Sequence, residues 1–211
     1  PSMLHNPLMH QLSRNIGRYS PRTQFAEVYL NSSTTGGAIQ QAHYAGIYVI
    51  EEKVKRGADR VDVDNLQPEH LVAPEITGGY LLKIDRADSA SDPTFSAGGQ
   101  GSLVYVDPKG EEIRTVARDP QEKYIIGYLN QFGTALNGAN YRDPNTGYSA
   151  YFDVPAGIDH HLLNVFSYNV DALRLSTHFH KPREGKITFV PLWDFDRALG
   201  STDGSVRNPR S

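Results

Sequence analysis

The chain has 211 residues, 38% of them hydrophobic and 21% charged, with 24 acidic against 21 basic side chains and a formal charge of −3. That length buries a real core as one large domain or a two-lobed unit, and the small acidic surplus argues against holding nucleic acid by general basic charge. Cysteine is absent, which excludes a disulfide scaffold, a thiolate zinc site, an iron–sulfur cluster and a cysteine nucleophile.

The longest apolar run, residues 45–50, is far short of the roughly 20 residues a membrane-spanning helix needs, so no membrane insertion is expected. The opening PSMLHNPLMHQLSRN has neither the basic leader nor the apolar core of a signal peptide. A start at proline and a polar end read as a piece of a longer protein.

Leu8, Leu12 and Ile16, four apart, predict a short amphipathic helix stopped by Gly17. Residues 25–31 (FAEVYLN) alternate, and residues 43–56 (HYAGIYVIEEKVKR) are rich in Tyr, Ile and Val. Together they predict an antiparallel hairpin with a long Gly/Ser/Thr-rich loop. After a proline-punctuated stretch at 61–76, a third strand is expected over 78–86, entered through Gly78–Gly79. Residues 87–101 read as a loop, and 102–116 as a second hairpin turning at 107–110.

The composition then shifts. Pro120 opens a predicted helix with Ile125, Leu129, Phe132 and Leu136 on one face, and residues 154–169 predict another with Ile158, Leu162 and Val165 or Phe166 on its apolar side. LRLSTHFHK and KITFVPLWDFD form a predicted hairpin around residues 182–185. The order is α+β: a β-rich N-terminal lobe over 1–118, then a helical lobe over 119–211 with a hairpin bearing acids.

The densest chemistry lies in NVDALRLSTHFHK and PLWDFDRALGSTDG. Asp171 falls between a predicted helix and a strand, and Asp194 ends another strand, with Asp196 two residues on. Folding the hairpin closed brings Asp171 and Asp194 together, and oxygen-only ligands of this kind suit Mg²⁺ or Mn²⁺. The bland alternative is two element caps and a surface acid. Lys83, inside the apolar strand YLLKID, ordinarily points outward; Leu81 on the same face leaves open that it reaches a buried acid or a phosphate. Glu51, Glu52 and Glu122 are candidate partners for it, Glu122 having a second role in the first turn of its helix.

Other motifs carry less. His160–His161 are neighbours on a helix and do not share a face. His178 and His180 share a strand face, but without a third ligand they do not make a zinc site. The loop Thr34–Gly37 is either a flexible hairpin tip or a cover over phosphates. Gly-x-Ser-x-Gly, a glycine-rich phosphate loop and a dinucleotide fingerprint are missing.

Five segments in order resemble the CotH family of spore coat kinases: RNIGRYSPRTQFAEVYLN, YAGIYVIEEKV, TGGYLLKIDR, IDHHLLN with NVDALRLST, and PLWDFDRALGS with the following DG. The resemblance implies an atypical protein-kinase-like, two-lobed fold that binds ATP with Mg²⁺ or Mn²⁺ and phosphorylates serine in Ser-rich protein segments, in a secreted, cell-surface or spore-coat setting. Carried over residue by residue, it implies that Asp171 is the catalytic aspartate. Asp194 and Asp196 become metal ligands, Lys83 the strand lysine on the phosphates, and Glu52 the acid that ends the preceding strand. Ser176 stands where ordinary kinases place the asparagine that holds a second metal. Two other readings stay open: a nucleotide-binding or structural module without transfer, and a metal-dependent glycosyltransferase built on Asp194-Phe195-Asp196. The latter calls for alternating strands and helices, which this β-first order lacks.

Overall fold

The structure, a computed structural model, describes residues 3–87, 94–172 and 174–200. Residues 88–93 of the expected loop, and the tail with the last part of the family-like segment (201–204), lie outside the described residues.

Helix α1 (His5–Asn15) ends just before Gly17, whose φ of 82° releases the chain. Strands β1 (Thr23–Tyr29) and β2 (Tyr44–Glu51) pair antiparallel as a separate ribbon, with Thr23 opposite Glu51 and a bulge at Val28/Tyr29. The second sheet holds β3 (Tyr80–Ile84), β4 (Phe95–Ala97), β5 (Gln100–Asp107) and β6 (Thr177–Lys181). Its order is β4-β5-β3-β6 and every pairing is antiparallel. The result is a mixed α+β architecture compatible with a kinase-like fold.

Strand β3 is buried along its whole length, and its period-2 alternation separates two cores. Tyr80, Leu82 and Ile84 pack with Leu103, Phe179 and with Ile125 and Leu129 of α3 (Asp119–Asn137). Leu81, on the other face, packs with Val54, Val61 and Val63, with Trp193 at the margin. Helix α3 opens with Pro120 and with Asp119 and Glu122 in its first turn, as its dipole favours. It keeps Ile125 and Leu129 inside but leaves Leu136 45% exposed.

Three expectations change. The hairpin at 102–116 has one strand, β5; beyond Pro108 the chain coils into the short helix α2 (Gly110–Ile113), where Lys109 N–H donates to Glu112 Oε2 at 2.9 Å and Ile113 is fully buried. The real hairpin lies earlier, β4 to β5, because Gly98 and Gly99 both take positive φ. There Gly98 N–H donates to Asn130 of α3 at 2.8 Å. The close approach needs glycine on both sides: a Cβ on Gly133 would sit 2.8 Å from Gly98 Cα.

The turn at 182–185 does form, and His180 and Thr188 exchange backbone bonds of 3.0 and 2.9 Å. Past that single bridge the second leg leaves the sheet, since Pro191 has no N–H to give a ladder. Asp194 therefore sits in irregular backbone rather than at a strand end.

Helix α4 (Val154–Phe166) is capped by Asp153, which accepts from Ala156 N–H at 3.1 Å. Its face is the reverse of the expected one. Ile158, Leu162 and Phe166 are 53%, 59% and 64% exposed, while Ala156, His160 and Asn164 are buried. The polar file faces inward because each of its groups finds a partner there, which removes the cost of burial.

These contacts predict opposite outcomes for two similar truncations. Ile125→Ala should lower the unfolding free energy by about 3 kcal/mol, whereas Leu162→Ala should change it by less than about 0.5 kcal/mol. Chemical denaturation of the two variants checks the orientation of both helices.

Candidate active site

The second face of β3 lines a cleft of about 310 Å³ whose walls include Lys53, Lys83, Asp85, Lys109, His178 and Trp193. Lys83 does not point outward to solvent: it is 9% exposed, set between Val104 of β5 and His178 of β6. Trp193 meets His178 edge-on, ring centroids 5.7 Å apart at 80°. Three lysines around one cleft make it suited to an anion, and the Trp and His rings give it a flat apolar wall.

Next to Trp193 the two acid-bearing loops converge. Asn169, immediately beyond α4, is 1% exposed. Its Oδ1 accepts from Asp171 N–H at 3.2 Å, and its Nδ2 donates to the carbonyl of Asp194 at 3.4 Å. The same Nδ2 donates to Asn164 Oδ1 at 3.1 Å, and Asn164 Nδ2 donates back to His160 O at 2.9 Å. A buried polar chain thus runs from the inner face of α4 to both aspartates.

Asp171 is itself buried, with Arg174 Nη2 at 2.9 Å and Arg197 Nη1 at 3.1 and 3.2 Å from its carboxylate oxygens. Two guanidinium groups hold it in one orientation.

Asp194 takes φ 61° and Ser176 φ 53°, the left-handed region where aspartate is tolerated better than most residues. Ser176 Oγ donates to Asp194 Oδ2 at 3.0 Å. The Asp194 carboxyl is pushed up to about 6, first by burial and then by its hydrogen bond with the Asp196 carboxyl and the charges of Asp196 and Asp171, with Ser176 opposing. Asp194 therefore feels both of the other acids.

Two carboxylates and a hydroxyl form an oxygen-only donor set, the chemistry Mg²⁺ or Mn²⁺ prefers. Among the described residues no three His, Asp or Glu side chains converge as a metal-holding group. That is not a misfit for Mg²⁺, which keeps one or two carboxylates and takes its other ligands from water and substrate phosphates. The oxygen donors present are of the kind such an ion takes.

The remaining candidates lie elsewhere. Glu52 accepts from Arg22 Nε at 2.7 Å and pairs with Arg60, and the Arg22 bond holds its carboxyl below the ordinary range. Glu122 accepts from Tyr105 Oη at 3.3 Å and Arg114 Nε at 3.4 Å. The acid in the cleft wall is Asp85, two residues from Lys83. The loop Thr34–Gly37 is exposed and does not line the cleft. His180 shares its face with His178, opposite Leu81 of β3.

Sequence reasoning predicted helix α1 but gave it, Asn169 and Asn164 no part in the site. Met9 and Leu12 of α1 pack on Leu192, Phe195 and Ala198, so the helix lies against the acid-bearing segment. The signal for the asparagines was the i, i+4 pair His160 and Asn164, polar residues on one helical stripe.

A family model described as CotH kinase protein matches residues 1–210. The chain belongs to the CotH kinase family. A search of the curated proteins found no match. In this member of the CotH kinase family, the lysine-lined cleft lies beside the two acid-bearing loops.

His160 gives a test of the polar chain. Burial drives its imidazole down to about 4, with His161 adding to the fall. Between that value and the unfolded value of 6.5 the unfolded chain binds the extra proton, so this contribution to stability rises with pH and is lost as pH falls from about 6.5 to 4. Asp194 has the opposite slope between its ordinary 3.8 and about 6, but it is common to wild type and His160→Phe and cancels between them. The stability of wild type relative to His160→Phe should therefore decline steadily on acidification from pH 6.5 to 4, measured by denaturant titrations; a flat difference would show that His160 protonates freely in the fold.

Proposed function

We propose that this CotH family kinase transfers the γ-phosphoryl group of ATP, with Mg²⁺ or Mn²⁺, to a serine or threonine hydroxyl of a protein with Ser-rich segments. The observation that carries the reading is the junction at Asn169, which ties Asp171 and Asp194 together at the edge of the lysine-lined cleft. Phosphoryl transfer needs positioning and charge compensation more than covalent chemistry, and these residues supply both. In this reading the β-rich part (1–118) and the helical part (119–211) are its two lobes.

Each side chain has a task. Lys83 binds the phosphates of the nucleotide, with Lys53 and Lys109 adding positive charge at the same cleft. Trp193 and His178 wall it and exclude water. Asp194 and Asp196 hold the metal, which when bound supplies the positive charge that offsets the phosphate oxygens. Asp171 accepts a hydrogen bond from the acceptor hydroxyl and takes its proton as the new O–P bond forms and the bond from γ-phosphorus to the bridging oxygen of ADP breaks. Arg174 and Arg197 keep the Asp171 carboxylate aimed. Glu52, locked by Arg22 and Arg60 at the end of β2, braces the strand exit next to Lys53.

One observation favours a second reading, a nucleotide-binding module without transfer: both oxygens of Asp171 already accept from Arg197, as in a site held shut.

Incubation with radiolabelled ATP, Mg²⁺ or Mn²⁺ and a Ser-rich protein separates the readings. Asp171→Asn and Asp194→Asn should each reduce label transfer about 100-fold or more, and Asp194→Asn should also weaken metal-dependent nucleotide binding. Variants that transfer like wild type would remove both residues from the site. Metal-dependent ATP binding with no transfer by wild type would establish the module.

A further inference from the structure

The peptide joining Asp194 to Phe195 is held at both of its polar atoms by side chains from outside its own segment. Its carbonyl accepts from Asn169 Nδ2 at 3.4 Å, and its N–H donates to Asn6 Oδ1 at 2.6 Å. These two asparagines come from α1 and from the turn after α4, far apart in sequence. The peptide follows the left-handed Asp194, a conformation that persists only where the surroundings over-determine it. Its orientation sets the course of the backbone from Asp194 to Asp196, the segment that carries both acids.

Asn6 is delivered by α1, and α1 is fixed on three sides. Met9 and Leu12 seat it on Leu192, Phe195 and Ala198. His10, fully buried, bonds through Nδ1 to Ser20 Oγ at 2.6 Å and through Nε2 to Glu51 Oε1 at 2.5 Å. Its ring lies 6.4 Å from those of Trp193 and Phe195. The helix thus joins the end of β2 to the segment that carries Asp194.

We propose that Asn6 is a positioning residue for the metal-holding segment, and that α1 is a working part of the active site rather than a lead-in to the fold. The proposal rests on the reading of Asp194 as a metal-holding acid. Asn6 contributes an acceptor oxygen from the first turn of α1, a place where a carboxylate is also welcome. Asp at position 6 therefore keeps the function, and Leu, of similar size with no acceptor, removes it. Asn169 has no such substitute, because its carboxamide both donates and accepts.

The test is Mn²⁺ titration of the full chain in the presence of ADP, following the electron paramagnetic resonance signal of free Mn²⁺. Asn6→Leu should weaken Mn²⁺ binding roughly tenfold or more, as loss of a group that orients a metal ligand does, and Asn6→Asp should restore it. Amide hydrogen exchange at Phe195 should be slow in wild type and Asn6→Asp and fast in Asn6→Leu. Should Asn6→Leu not fold, Asn6→Ala carries the same prediction with less steric change. Mn²⁺ affinity and Phe195 exchange at wild-type level in a folded Asn6→Leu or Asn6→Ala would overturn the clamp. So would Asn6→Asp behaving like Asn6→Leu, which would assign the effect to packing. Failure of wild type to take up Mn²⁺ would instead overturn the reading of Asp194, and the proposal with it.

Discussion

Asn169 commits both ends of one buried carboxamide to the acid-bearing loops, accepting from the backbone of Asp171 and donating to that of Asp194. A buried amide left unpaired costs about 1–3 kcal/mol, so each loop is held where the amide needs it. The same side chain leans on Asn164, which faces inward from α4. That inward polar stripe sets the rotation of α4 about its axis, and the exposure of Ile158, Leu162 and Phe166 follows from it. The helix gives up an apolar contact surface so that a polar chain reaches the two aspartates.

The electrostatics divide the site in the same way. Lysines 53, 83 and 109 gather on the cleft side, while Asp171, Asp194 and Asp196 gather beyond Trp193. Asp171 is matched by Arg174 and Arg197; Asp194 has a serine hydroxyl and other acids beside it, and its carboxyl is raised first by burial and then by Asp196 and Asp171. In the proposed reading, this is the carboxyl that a divalent cation would compensate.

Much of this was legible in the sequence because the governing signals were local. Alternation in YLLKID places Leu82 and Ile84 on one face and Lys83 on the other, and the turn at 182–185 brings the two acid-bearing stretches near each other. The resemblance to CotH kinases supplied what spacing alone left open, that Asp171 and Asp194 are the acids to watch. The misses were non-local. Hydrophobic periodicity put the wrong face of α4 inside, because apolar pattern is blind to a hydrogen-bonded polar file. Gly98–Gly99 took the turn assigned to 107–110, since its partner Asn130 lies on a helix distant in sequence. Asn6 and Asn169 are ordinary residues whose roles exist only once α1 and α4 are folded against the same loop.

If Asp171 and Asp194 work as one unit through Asn169, a double-mutant cycle on phosphate transfer will show it. Residues that act as a unit lose activity non-additively. Asp171→Asn combined with Asp194→Asn should transfer phosphate no more slowly than the worse of the two single variants. Losses that multiply, or single variants that leave transfer intact, would contradict it.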